Sequence, residues 1–292
     1  MGFCRLATVG LPLGDSRKME RLESKTILVT GATDGLGRGI ARTLAERRAT
    51  VLVHGRDRGR AEAVATELRA SGATAVRVYI ADLASLAEVW ALANAVRTNE
   101  SRLDVLVNNA GIGTTVPTKG RAESLDGIEL RFAVNYLSHY LLSRELVALL
   151  KRSSPARIVN VSSVGQTAID FDDPMIPRGY SGVRAYCQSK LAQIMSTIDL
   201  ASELAGRGVT VNALHPATFM PTKIVSTPTS TLEEGVHATM RLVADDSISA
   251  TTGKYFNGTR EARADAQAYD EEPRRKLRAL SEKLVHEAIG SR

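Results

Sequence analysis

A doubly wound α/β domain is the fold this 292-residue chain predicts. Three observations carry the prediction. Short apolar runs alternate repeatedly with segments of helical spacing. The runs are almost continuously apolar, as in parallel strands covered on both faces. The first run ends in a glycine-rich turn that opens a helix. The expected architecture is a single Rossmann-type domain over 25–292, with a mainly parallel sheet of about seven strands flanked by helices. A loosely ordered N-terminal extension is expected at 1–24.

Taken in order, "TILVTG" from residue 26 reads as a buried strand, and "GLGRGIARTLAERR" places Ile40 and Leu44 on one side of a helix. "TVLVHG" is the second strand, and "GRAEAVATELRASG" is a helix closed by Gly72. "AVRVYIADL" and "SLAEVWALANAVRTN" form the third strand–helix pair, and "LDVLVNNAG" the fourth strand. Residues 122–152 make one or two helices, "ARIVNVSS" is a fifth strand, 185–205 a long helix, and "VTVNALHP" a sixth strand. "GKYFNG" reads as a short seventh. Two segments rich in Pro, Gly, Ser and Thr, 165–182 and 216–232, follow strands. Both belong at the carboxyl edge of the sheet, where ligands bind in open α/β folds. They carry Phe171, Met175, Ile176, Phe219, Met220 and Ile224, which predicts a mainly apolar substrate pocket.

Composition narrows the function classes. Hydrophobic residues make up 43% and charged residues 24%, ordinary globular usage. The formal charge of +6 is scattered among acidic residues rather than clustered, which argues against a nucleic-acid binder. No run approaches the length of a membrane span. The two cysteines, Cys4 and Cys187, have no metal-ligand spacing, no metal site is expected, and the chain fits a reducing cytoplasm. Cys187 reads as a small apolar filler.

The chemistry concentrates in a few short stretches. In "TGATDGLG", Gly31, Gly35 and Gly37 allow a tight turn and let a diphosphate reach the start of a helix, where unsatisfied amides and the dipole favour an anion. "YCQSK" puts Tyr186 and Lys190 four residues apart, on one face of a helix. In a cleft, that pair makes an acid–base tyrosine near neutral pH; on a surface it is decoration. His215, before Pro216, reads as structural.

With these stretches, the chain from about Lys25 to Gly258 resembles the short-chain dehydrogenase/reductase family. Asp82 of "ADL", "NNAG" (Asn108 to Gly111), Asn135 of "AVNYLSH", Ser163 of "NVSSVG" and the Tyr186/Lys190 pair occur in the family's order. The resemblance implies hydride transfer between a nicotinamide and a carbonyl or secondary alcohol, with Tyr186 as general acid/base. Ser163 would hold the substrate oxygen, Lys190 would lower the Tyr186 pKa and bind the ribose, and Asn135 would hold a relay water. It places Gly31, Thr33, Asp34, Gly35, Leu36, Gly37, Asp82, Leu83, Asn109, Ala110, Gly111, Pro216 and Thr218 around the cofactor, with Thr222 a further candidate. Where the family usually has Pro-Gly, this chain has Pro216-Ala217. The second strand ends without the carboxylate that pairs with the NAD ribose, and Arg56 follows, a partner for a 2′-phosphate; NADP(H) is favoured over NAD(H). Asp57 would serve NAD if the loop shifted by one residue.

Ser163 and Tyr186 stand 23 positions apart, longer than in many members. Together with "GKYFNG" and "EEPRRKLRALSEKLV", this resembles the retinol dehydrogenase-like branch, without that branch's common membrane-anchoring start; retinoid specificity does not carry over. The resemblance also implies a homo-oligomer, dimer or tetramer, paired through the helix bearing Leu191, Ile194, Ile198 and Leu204, unless that stripe faces the core. A small-molecule partner is expected, and neither nucleic acid nor membrane. The rival reading is a catalytically idle NADP(H)-sensing regulator of the same fold.

Overall fold

The strands are apolar because they are covered on both faces. In β1 (Thr26–Val29) all four residues are buried, as are those of β4 (Val105–Asn108). The structure is a computed structural model that describes residues 22–115, 120–218, 220–221 and 228–290. Elements follow in the expected alternation: β1, α1 (Gly35–Glu46), β2 (Thr50–Gly55), α2 (Arg58–Ala70), β3 (Ala75–Ile80), α3 (Leu86–Asn99), β4, α4 (Leu130–Phe132), α5 (Ser138–Arg152), β5 (Ala156–Val161), α6 (Gly182–Glu203), β6 (Val209–His215), α7 (Leu232–Ala244), β7 (Tyr255–Asn257), β8 (Arg260–Ala262) and α8 (Glu271–Ile289). The sheet order is β3-β2-β1-β4-β5-β6-β7-β8. Seven strands run parallel and β8 returns antiparallel to β7, so the sheet has one strand more than expected.

Two cores result, one per face. Leu36, Ile40 and Leu44 of α1, Val64 and Leu68 of α2 and Met240 and Val243 of α7 pack on one side. The other side carries the larger core, built by α3, α5, α6 and α8. Leu191, Ile194 and Leu204 are buried within it and Ile198 packs against it, so the stripe on α6 faces inward and supplies no argument for pairing. Leu22, assigned by sequence to the extension, is buried in the smaller core, so the domain begins at least three residues before Lys25; residues 1–21, with Cys4, lie outside the described residues.

The helix expected within 122–152 starts only at Leu130 and contains a π turn, Ala133–Leu137, between α4 and α5. Helix α6 begins three residues earlier than expected, at Gly182, capped by Ser181. Helix α7 was not anticipated; a reciprocal Thr231–Glu234 capping box starts it. The loop residues expected to line a pocket anchor their loop instead: Ile176 is buried at φ +49, and Phe171 and Met175 pack against the larger core. Met220 lies where a side chain on Gly235 of α7 would stand. Phe219, Thr222 and Ile224 lie outside the described residues.

A buried ion pair ties the two sides of the future cleft together. Arg131 and Glu129 are 0% and 1% exposed. Arg131 donates to the carbonyls of Gly113 and Thr114, both at 2.8 Å, and to the Tyr180 hydroxyl at 2.5 Å. Tyr180 in turn donates to Glu129 at 2.8 Å, while the second Glu129 oxygen caps α4 through the Phe132 amide. The segment after β4 and the 165–182 loop are thus held by one charged cluster. Removing a partner from such a pair strands a buried charge. Glu129→Ala should therefore lower stability by about 3–5 kcal/mol in urea unfolding; a loss under about 1 kcal/mol would mean that the pair does not hold the loops.

Candidate active site

The chain leaves β1 towards β2 and β3, then returns to β4 on the other side of β1. A crevice is expected at the carboxyl ends of strands where the order reverses in this way. The site is built there, beginning with the β1–α1 turn. Gly31 (φ +64) and Gly35 (φ +47) take left-handed conformations, and a β-carbon on Gly37 would overlap the Gly31 carbonyl oxygen. Asp34 caps α1 by accepting from the Gly35 amide at 2.8 Å. The helix itself cannot satisfy the amides of Leu36 and Gly37, which leaves donors for an anion. The Leu36 side chain is buried in the smaller core.

Neighbouring strands clamp this turn. The Thr30 hydroxyl accepts from the amides of Asn109 (2.9 Å) and Ala110 (3.0 Å), and the Asn109 side chain donates to the Thr30 carbonyl at 2.9 Å. From β2, His54 Nδ1 accepts the Gly31 amide at 3.2 Å. The ring proton therefore sits on Nε2, facing the Ala81 carbonyl at 3.1 Å. His54, noted in the sequence only as a missing carboxylate, is a buried brace. Asn108 points beneath the sheet, donating to Ser143 and Asn160.

The adenosine end is expected past β2. Asp57 is committed as the cap of α2, accepting from the Arg60 amide at 2.8 Å. Arg56 has no hydrogen bond or ion pair among the described residues and is exposed. Arg60, unnoticed in the sequence, crosses to the glycine turn and meets Asp34 at 2.9 Å and the Thr33 carbonyl at 3.3 Å. Asp82 lies in the loop after β3, where it accepts from the Ala84 amide at 2.9 Å. The Leu83 side chain is core, 5% exposed, so it offers a ligand no more than backbone.

At the other end, Ser163, Tyr186, Lys190 and Asn135 lie near one another. Helix α6 presents Tyr186 and Lys190, with Nζ 5.9 Å from the centre of the phenol ring. Ser163 stands close enough to Tyr186 to favour its phenolate. Its carbonyl is held by Tyr255 of β7 at 3.1 Å and by Gln166 at 2.9 Å, two residues that sequence reasoning did not assign to the site although "GKYFNG" had singled out the segment. Asn135 lies in the π turn, an irregularity that recurs at functional sites. It accepts from the Ile112 amide at 2.8 Å and donates to the Ile112 carbonyl and Ser189. A β-carbon on Gly111 would stand 3.2 Å from the Asn135 oxygen and 3.7 Å from Lys190 Nζ, so glycine keeps that junction open. Pro216 is buried, Ala217 partly so, and the exposed Thr218 meets His215 Nε2 at 3.1 Å, which supports a structural histidine.

Lys190 together with the charge of the oxidised nicotinamide is expected to lower the Tyr186 pKa; in the protein by itself burial raises it, with Ser163 acting in the opposite sense. Burial also pushes Lys190 down to about 8. Its ammonium donates to the Val161 carbonyl at 2.9 Å. Burial raises the Cys187 thiol too, so it is no thiolate nucleophile.

The comparisons with known proteins follow this geometry. The family model for short chain dehydrogenase matches residues 25–233. Human retinol dehydrogenase 13 is 36% identical over 290 residues, covering 90% of this chain and 85% of that protein. A solved structure of an uncharacterised protein from Mycobacterium paratuberculosis superposes with a TM-score of 0.78 at 30% identity, covering 92% of this chain and 96% of that one. The Pseudomonas aeruginosa RhlG/NADP active-site complex gives 0.66 at 29% identity, covering 81% and 95%. The chain belongs to the short-chain dehydrogenase family, in its retinol dehydrogenase-like branch. It is thereby an oxidoreductase acting on small molecules with a nicotinamide cofactor. Among the described residues no helix is long and apolar enough to cross a membrane.

Three buried histidines frame this site. Burial depresses His54 and His215 to about 4 and His139 to about 3. The unfolded chain, with histidines near 6.5, binds protons that the folded chain refuses. Stability is therefore full above pH 6.5 and falls as pH drops towards 4, by up to about 1.4 kcal/mol per pH unit for each histidine. The urea midpoint should be clearly lower at pH 5 than at pH 7, and equal midpoints would contradict burial of the neutral rings.

Proposed function

We propose that the chain is an NADP(H)-dependent carbonyl reductase or alcohol dehydrogenase for an apolar substrate, with Tyr186 as general acid/base. The observation that carries the reading is the convergence of Ser163, Tyr186, Lys190 and Asn135 beside a glycine turn built for a diphosphate. When bound, the nicotinamide supplies or accepts hydride. The residues do the rest. Ser163 and Tyr186 hold the substrate oxygen. Tyr186, kept as the neutral phenol by burial, gives its proton to that oxygen as the carbonyl carbon is reduced. Lys190 binds the ribose and returns a proton, and Asn135 holds the water that reaches the lysine.

The preference for NADP(H) rests on Arg56, unengaged at the end of β2, and on Asp57, whose carboxylate is occupied as a cap. The NADP complex of RhlG fits this preference. Two exposed valines support an apolar substrate. Val164 (53%) follows Ser163, and Val183 (58%) lies one turn before Tyr186 on the same face. The relatives' name, retinol dehydrogenase, agrees with an apolar alcohol or aldehyde.

The test is NADPH oxidation, with NADH in parallel, over a panel of apolar aldehydes and ketones. Tyr186→Phe should reduce kcat by about 10²–10⁴-fold while NADPH still binds; retained turnover would remove Tyr186 from the chemistry. NADPH bound without turnover of any panel member would favour the sensing regulator. Arg56→Ala should raise KM for NADPH by about ten- to a hundredfold, the loss of hydrogen bonds to a charged group, and leave KM for NADH unchanged. Equal effects on both cofactors would remove the 2′-phosphate assignment.

A further inference from the structure

Lys190 is almost fully buried and, among the described residues, makes no ion pair. Apart from the Val161 carbonyl, its acceptor is Gln193 Oε1, at 3.5 Å, one turn further along α6. The Gln193 amide nitrogen lies 3.0 Å from Nδ1 of His139 on α5. Donor logic sets the direction of this chain. An ammonium has no lone pair, so the glutamine must present its oxygen to Lys190 and its nitrogen to His139. The amide nitrogen only donates, so Nδ1 accepts and the ring proton sits on Nε2. The Asn135 carbonyl also lies close to the ring, but Nδ1 cannot donate to it while accepting from Gln193. His139 is 2% exposed, and its Nε2 has no partner among the described residues. The histidine lines a cavity of about 20 Å³ between α5, α6 and α8, shared with Tyr140, Ser143, Asn160 and Arg274. A polar cavity of that size has room for one water.

We propose that Gln193 and His139 are positioning residues for Lys190: the histidine fixes the glutamine amide, and the amide oxygen keeps the lysine ammonium charged and in place beside Val161. The proposal rests on the role given to Lys190 above. It explains how a lysine without a carboxylate stays protonated in an apolar setting, and it gives a use to two buried polar residues on helix faces otherwise committed to the core.

The groups facing Lys190 do not confuse a titration of it. Tyr186 on its own helix is raised, as is Cys187 next to that tyrosine, while His139 on α5 and His215 on β6 are depressed far below neutrality. The experiment is an NMR titration of the Lys190 side-chain Cε in ¹³C-lysine-labelled, cofactor-free protein, assigned by loss of the signal in Lys190→Arg. Thermal melts check each variant's fold. Gln193→Leu should lower the Lys190 midpoint by about one pH unit. His139→Phe should lower it in the same sense by less, and His139→Gln, which again offers an oxygen to the amide, should restore it. An unchanged midpoint in folded Gln193→Leu overturns the proposal, and an unchanged midpoint in folded His139→Phe removes the histidine from it. Activity supplies the second readout. Reduction needs the charged lysine, so the alkaline limb of the pH–rate profile should move down with the midpoint. A shifted midpoint with a fixed limb would refute the catalytic purpose. Absence of any carbonyl turnover in the wild type would count against the function proposed above and leave the titration to judge the hydrogen-bond chain.

Discussion

Between Gly31 and Gly37 two pieces of backbone pass so close that no β-carbon fits, and the remainder of the site is arranged around that approach. The turn is held from both sides of β1. Asn109 and Ala110 of the β4 exit hang from the Thr30 hydroxyl, and His54 of β2 takes the Gly31 amide. Each contact satisfies a partly buried backbone amide, and leaving such a group unpaired is costly. The glycines therefore serve the protein's own packing as much as any ligand's diphosphate. Helix α1 starts where it does because the turn is pinned there, and its unsatisfied amides face the crevice for the same reason.

Burial governs the electrostatics of the other half. Tyr186, Lys190, His139 and His215 are all driven towards their neutral forms. Desolvation disfavours the charged form of each. Lys190 lies 5.9 Å from the centre of the phenol ring, and burial discourages its own charge as well. What keeps the lysine cationic is the oxygen atoms around it, from Val161 and Gln193. Burial thus favours a neutral phenol beside a marginal ammonium.

Much of this was legible in the sequence, and the reasons are physical. Strands that pack into the sheet carry mainly apolar runs, so β1 to β6 stood out. Tyr186 and Lys190 lie one helical turn apart, which puts them on one face, while Ser163 and the pair's role came only with the resemblance to the family. The short edge strand β8 escaped because three residues, two of them charged, leave no pattern. The π turn escaped because its five residues are all buried and show no periodicity to read. The Arg131 cluster was invisible for another reason. Its partners, Tyr180 and the Gly113 and Thr114 carbonyls, are distant in sequence or belong to the backbone, and only folding brings them together. The apolar loop residues misled because a methionine or isoleucine that anchors a loop looks the same in sequence as one that lines a pocket.

The π turn at Ala133–Leu137 also sets a phase. An α-helix advances about 100° per residue, and a π turn holds one residue more than its neighbours. Upstream, α4 directs Arg131 towards the loop carbonyls; downstream, α5 directs His139 towards Gln193. The extra residue is what lets one nearly continuous helical rod address both, with Asn135 at the hinge between them. No side-chain substitution alters that offset, whereas shortening the rod by a single residue would turn one half against the other. Length, rather than composition, is what this geometry constrains in the segment.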